Sequence, residues 1–296
     1  MRIQTLRALI HLHQLGSVRA AAEQLHMSQP ALTLAIQQLE NELGCQLLVR
    51  TKRGVSLTAY GEALLPRANL IVSESVRAQE EMAQIRGDLG GHVRLATSPA
   101  VALSVLPQAL RPFMNKYPQV QVHCIEGTYP AIGPQLRDGQ LDFAVTPFHA
   151  SDLETGLDAE ELYLSEVVIV ANKQHPLAKT TSLKDLHNAR WAHATVTRGP
   201  GAVIEETFRA SGMEPPKPAI IFESLLALPA VVAHSDLVAT LPRRIFEQEH
   251  VKQKLCVIPI KETPPTLNIA ILRRSNQALT PAANELLGWI RQVALS

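Results

Sequence analysis

Apolar residues recur every three to four positions over the first forty-odd residues, and this period predicts short helices. Leu6, Leu9, Ile10 and His13 mark one face of a helix over residues 4–15, and Gly16-Ser17 stops it. A second helix over residues 18–25 has Ser17 as its N-cap, and Ala20-Ala21-Ala22 lets a neighbouring helix come close. After the turn His26-Met27, Ser28 caps a third helix that tolerates Pro30 in its first turn and ends at Gly44. Leu32, Ile36, Leu39 and Leu43 give it an apolar stripe, which leaves Gln29, Thr33, Leu34, Gln37 and Gln38 facing elsewhere. Residues 46–50 and 54–58 read as strands bracketing the basic tip Thr51-Lys52-Arg53-Gly54, a hairpin wing. A long helix over residues 59–86 follows. Its heptad-like row of Leu64, Ala68, Ile71, Ser75, Ala78, Met82 and Ile85 suggests a partner helix, and Pro66 is placed to kink its first two turns. The run Gly87-Asp88-Leu89-Gly90-Gly91 breaks the helix and reads as a hinge.

From His92 the period changes to short β-rich runs alternating with helical ones, the pattern of an α/β architecture with a largely parallel sheet. Strands are expected at residues 92–97, 120–126, 141–146, 166–171, 191–196, 219–222, 237–241, 255–260 and 267–273, with a closing helix at 281–293. The division that results is a winged helix-turn-helix over residues 1–58, a linker helix over 59–87, a hinge over 88–91 and a two-lobed α/β domain over 92–296. Lobe 1 takes about 92–162 and 267–296; lobe 2 takes about 163–266.

Composition narrows the function classes. With 296 residues, 46% hydrophobic and 19% charged, the chain is long enough for several cores and has no disordered tract. The formal charge of +1 gives no global sign of nucleic-acid binding, but residues 1–61 hold six basic side chains against Glu23, Glu40 and Glu42. The start of the chain does not resemble a secretory signal and no stretch of 18 apolar residues exists, so a cytoplasmic protein is expected. Cys45, Cys124 and Cys256 lack CxxC spacing and are expected to be free, mostly buried thiols. No HExxH or GxSxG is present, and Gly199 and Gly201 do not make a phosphate loop. No cofactor, metal or catalytic residue is expected.

Three helices with a short turn before the third, followed by a basic hairpin, form the arrangement that inserts a helix into the DNA major groove. Gln29 and Thr33 then face base edges, glutamine because its amide pairs two-pronged with adenine, while Arg50 and Arg53 face phosphates. In an α/β lobe, ligands collect at strand ends and helix N-termini. Ser98 and Ala100 after the first strand, Thr128 after the second, and Thr146-Pro147 after the third are such positions. In the second lobe Thr197, Arg198 and Gly199 precede a helix and bring a cation to backbone N–H groups, which suits an anion.

The residues Ser17, Ala21-Ala22, Leu25, Ser28-Gln29-Pro30-Ala31-Leu32-Thr33, Ile36 and Leu39-Glu40 resemble the LysR-type transcriptional regulators. The match continues through Leu43-Gly44, Leu47, Arg50, Arg53-Gly54-Val55, Leu57-Thr58 and Gly61. Leu34 and Leu48 depart from the family pattern, which often has a polar or basic residue at the first and an aromatic at the second. The resemblance implies a winged helix, a linker helix that makes a homodimer, and an effector domain like a periplasmic solute-binding protein, commonly assembled as homotetramers. Carried over by position, it puts Ser28, Gln29, Pro30, Thr33, Arg50 and Arg53 at double-stranded DNA and Ser98 at a small-molecule effector. Residues 50–58, 135–139 and 223–237 are similar to regulators of toluenesulfonate degradation within that family, which implies an aromatic sulfonate or carboxylate effector. The competing classes are a solute-binding protein whose N-terminal region only dimerises it and a small-molecule enzyme; both predict no salt-sensitive DNA binding.

Overall fold

The computed structural model describes residues 1–51, 54–194, 200–222 and 224–295. Helices α1 (Ile3–Leu15), α2 (Val18–Gln24) and α3 (Gln29–Leu43) start and stop where capping chemistry dictates. Ser17 Oγ accepts from the Ala20 amide, Ser28 Oγ accepts from the Ala31 amide, and Gly16 and Gly44 take the left-handed conformation that closes α1 and α3. Leu6, Leu9, Leu12, Ala21, Leu32, Ile36, Leu39 and Leu47 bury one core between them. Two sequence expectations fail at its edge. His13 is exposed and Leu12 takes the buried place, while Leu43, the last residue of α3, is 43% exposed.

Strands β1 (Leu48–Thr51) and β2 (Gly54–Leu57) pair antiparallel as the wing. Glu40 of α3 fixes them, its Oε1 accepting from the amides of Leu47 at 2.8 Å and Leu48 at 3.2 Å. On the other side the Val55 amide donates to the Gly16 carbonyl at 2.9 Å. A side chain at Gly54 has no room there: φ is +126° and an added Cβ would lie 2.2 Å from the Gly16 oxygen.

Helix α4 (Ala59–Ile85) carries Pro66 inside one continuous helix. Of the hinge expected over 88–91, Asp88 and Leu89 join α4 to the next strand. Gly90 and Gly91 belong to β3 (Gly90–Thr97) and pair with the start of β4 (Gln119–Glu126). Gly91 has φ +122° and an added Cβ would meet Gln84 of α4 at 2.7 Å, so these glycines let the strand run close beside the helix. Gln84 bridges both ways, its Nε2 donating to the Gly90 carbonyl and its Oε1 accepting from the Ala282 amide.

A buried charge network adds to that attachment. Arg77 of α4, 4% exposed, donates through Nε to Asp142 Oδ1 at 2.7 Å and through Nη2 to the Gly139 carbonyl at 2.7 Å. Asp142 Oδ2 accepts from the Arg94 amide at 2.7 Å. Glu74 accepts from both Arg77 and Arg274. Each charge is met by partners from a different part of the chain, which is the condition for tolerating buried ions.

The rest of the chain forms two five-stranded sheets. The first has the order β4-β3-β5-β12-β6 and combines β3 and β4 with β5 (Phe143–Pro147), β6 (Leu157–Ser165) and β12 (Leu267–Arg274). Helices α5 (Pro99–Ser104), α6 (Leu106–Lys116) and α7 (Gly133–Arg137) connect its strands, and the C-terminal helix of the chain covers it. The second sheet has the order β11-β7-β10-β8-β9, from β7 (Val167–Asn172), β8 (Arg190–Ala194), β9 (Pro218–Phe222), β10 (Leu237–Pro242) and β11 (Leu255–Val257). With it go α8 (Pro200–Ala210), α9 (Leu228–Ala233), α10 (Arg243–Phe246) and α11 (Glu249–Lys252), and α12 (Pro281–Leu295) closes the chain.

Neither sheet is largely parallel, contrary to the sequence reading. In each, two strand pairs are parallel and two antiparallel, because the chain crosses between sheets twice and each crossing brings in a strand running the other way. β6 has no counterpart among the expected strands, and β11 stops three residues before the expected end at 260. No helix among the described residues is long and apolar enough to cross a membrane.

Candidate DNA interface and effector cleft

Ser28, Gln29, Pro30 and Thr33 occupy the first turn and a half of α3, on the side away from the core. Gln29 and Pro30 are exposed and Thr33 is half-buried. Gln29, Pro30, Thr33, Leu34 and Gln37 share one open hollow with Ser17 and Arg19 at the start of α2 and with Gly54 and Val55 of the wing. Arg50 lies on β1 opposite Val55, which puts its backbone at the same edge. Arg53 and Lys52 lie outside the described residues. The hydroxyl of Ser28 already accepts from the Ala31 amide, so it has its proton left to donate outward.

Sequence reasoning did not single out Arg19 or Gln37 as site residues. Gln37 stands four residues after Thr33, one helical turn further along the same face. Arg19 is paired with Glu23 at 2.9 Å on an exposed helix surface, a bond that phosphate can replace at little cost. Leu34 is 55% exposed in the middle of this face and adds an apolar contact where a polar one is usual in the resemblance.

The second group gathers at the carboxyl ends of β3, β4 and β5, three strands that run parallel. Backbone bonds hold these ends together: the Ser98 amide donates to the Val145 carbonyl at 3.0 Å and the Gly127 amide to the Thr97 carbonyl at 3.0 Å. Ser98, Thr146 and Pro147 are therefore neighbours, with Thr128 next to them after β4. Ser98 is 2% and Thr146 0% exposed, and neither Ser98 Oγ nor Thr146 Oγ1 has a hydrogen-bond partner. A buried hydroxyl without a partner costs about 1–3 kcal/mol, so two at adjacent strand ends leave hydrogen-bonding capacity unused there.

Ala100 packs with Val168, Ala192 and Ala194, and so ties α5 to the second sheet. On the opposite face of β8 from Ala192 and Ala194, beside the Trp191 ring, His193 is 6% exposed and its Nε2 has no partner. Burial holds its imidazole below the usual histidine range, against the opposing pull of Glu205, so it is neutral at pH 7. Thr197, Arg198 and Gly199 fall outside the described residues, between β8 and α8. The three cysteines form no disulfide, and Cys124 is exposed on β4 rather than buried as expected. Among the described residues no group of His, Cys, Asp or Glu side chains is placed to hold a metal.

These two sites sit in parts of the chain that match known families. Residues 3–62 match the family described as bacterial regulatory helix-turn-helix protein, lysR family, and residues 86–295 match the LysR substrate binding domain. The chain is 27% identical over 289 residues to the HTH-type transcriptional regulator GalR of Pseudomonas putida, covering 97% of this chain and 73% of that protein. It is 28% identical over 294 residues to the SDS degradation transcriptional activation protein of a Pseudomonas species, covering 97% of this chain and 95% of that one. The fold is that of full-length CbnR complexed with its target DNA, with TM-score 0.70 and 24% identity over 99% of this chain and 100% of that chain. With a helix-turn-helix at one end and a two-lobed substrate-binding domain over most of the remainder, the chain belongs to the LysR family of DNA-binding transcriptional regulators.

Proposed function

We propose that this regulator reads a two-fold-related DNA site with α3 and the wing of each subunit, and changes its hold on that site when a small anion binds between its two lobes. Residues 1–58 grip DNA, residues 59–87 pair two subunits, and residues 92–296 sense the effector. Gln29 and Thr33 meet base edges, while Ser28, Arg50, Arg53 and Arg19 meet phosphates and Pro30 sets the start of the helix. The shared hollow between α3, the start of α2 and the wing supports this division of labour. CbnR, of the same fold, has been seen with its target DNA, which supports the same use of the face here. Dimerisation through α4 is supported by Ile71, Met82 and Ile85, which leave 38%, 51% and 65% of their surface exposed along one row. Two such dimers make the tetramer that places four wings on the operator, in the cytoplasm where the DNA is.

The effector reading rests on the unpartnered hydroxyls of Ser98 and Thr146. Acceptor oxygens of a carboxylate or sulfonate satisfy both as donors, with Thr128, Pro147 and Ala100 shaping the wall and Thr197, Arg198 and Gly199 adding the cation and backbone N–H groups. An aromatic sulfonate or carboxylate fits this donor set. The test is calorimetry with toluenesulfonate and benzoate on the full-length protein. Ser98→Ala is expected to weaken binding about tenfold or more and to leave DNA affinity without effector unchanged; an unaltered ligand affinity removes Ser98 from the site.

A further inference from the structure

We propose that the protein carries a second small-molecule site, apart from the cleft, that takes an amphipathic anion such as a medium-chain carboxylate. A cavity of about 200 Å³ lies between α5 and the α9 to α11 region, walled by Leu103, Leu226, Pro229, Ile245, Val251 and Leu255. Leu103 comes from the first lobe and the other five from the second, and the Gln248 side chain reaches across to the Leu103 carbonyl at 3.5 Å. Protein interiors ordinarily fill such a gap. Here Leu103 and Leu226 instead leave 40% and 46% of their surface in water.

The rim supplies the other half of the chemistry. Gln253 and Lys254 wall this cavity and also a wider adjoining hollow that holds Lys173, His175 and His234. The Lys173 amide donates to the Lys254 carbonyl at 3.4 Å, so two ammonium-bearing side chains start from neighbouring backbone positions. Both are exposed, and neither forms an ion pair among the described residues. Asp236, the carboxylate among the described residues that line the hollow, is engaged by Arg190 at 2.9 Å. His175 is no metal ligand, since its Nδ1 accepts from the Leu177 amide and its Nε2 faces the Asp236 carbonyl. An apolar slot with two unpaired lysines at its mouth matches a hydrocarbon tail ending in a carboxylate or sulfate. Because the slot has walls from both lobes, filling it braces them against each other.

Titration of the full-length protein with butanoate, hexanoate, octanoate and decanoate, followed by calorimetry, tests the site. The affinity is expected to rise about fourfold per methylene until the slot is full, with decanol at least tenfold weaker than decanoate. Ala230→Phe, which fills the slot from its wall, and Lys254→Glu, which reverses the rim charge, are each expected to weaken decanoate tenfold or more. Both leave DNA affinity without ligand intact, and Ser98→Ala leaves decanoate binding intact. Decanoate binding that is unchanged in both variants, that ignores chain length, or that is lost with Ser98→Ala overturns the proposal; the last outcome places the ligand in the cleft instead.

Discussion

At His193 burial outweighs charge, and the consequence is a pH dependence with a definite sign. Its folded pKa lies below the usual value because the imidazolium is desolvated, with Glu205 opposing only in part. The unfolded chain therefore takes up the proton first as pH falls below about 6.5, and folding stability, complete above that pH, declines toward the lower folded pKa. His193→Gln is expected to flatten the fall in Tm between pH 7.5 and 5.5 relative to the parent protein. Identical pH profiles would show that His193 does not titrate differently on unfolding. Gly54 makes a second residue-scale case. Gly54→Ala puts a methyl against the Gly16 carbonyl in a backbone conformation that disfavours it, at a cost of about 2 kcal/mol. The loss should fall mainly on DNA affinity, because the wing must move off the helix turn to relieve the clash; an unchanged operator affinity by fluorescence anisotropy argues against the wing's part in binding.

Among the elements, α4 has two duties. Toward its own chain it is bolted to the first lobe by Arg77, Glu74 and Gln84. Arg77→Ala strands Asp142 as a buried charge and is expected to cost about 3–5 kcal/mol in urea denaturation. The pair Arg77→Met with Asp142→Leu should recover most of that, whereas equal destabilisation by single and double variants would deny that the charges depend on each other. Toward solvent α4 shows the row of Ile71, Met82 and Ile85, and Met82→Glu is expected to shift sedimentation toward monomer. The helices were readable from the sequence because their caps are local: Ser17, Ser28, Gly16 and Gly44 act within one turn of themselves. β6 was not. Its run LDAEELYLS carries Asp158, Glu160 and Glu161, poor strand formers that are stabilised by partners far along the chain. Glu160 pairs with Arg291 and Glu161 accepts from Asn268, and no local pattern announces either. The glycines at 90 and 91 carry a second use that their sequence does not announce: Gly91 gives the strand close contact with α4.

Across the whole molecule, the family and the order of its parts were legible because helix-turn-helix, wing and α/β alternation each leave a period in the chain. The mixed direction of the sheets was not, since it depends on how twice-crossing strands pair over more than a hundred residues. The cleft was legible only in part: Ser98 and Thr146 stand at readable strand ends, but the approach of α5 to the second sheet, through the apolar cluster that holds Ala100, Ala192 and Ala194, has no local signal. In this arrangement the first lobe is fixed to the helix that carries the DNA-binding end. Under the proposed function an effector would act by drawing the second lobe toward the first, and so alter the spacing of paired wings. The most direct test is fluorescence anisotropy of the full-length protein on the DNA upstream of its own gene, titrated across salt with and without toluenesulfonate or benzoate. Tight binding that weakens steeply with salt and shifts with one of these ligands is the predicted result. Binding no tighter than to random duplex, or an affinity that neither ligand moves, would contradict it.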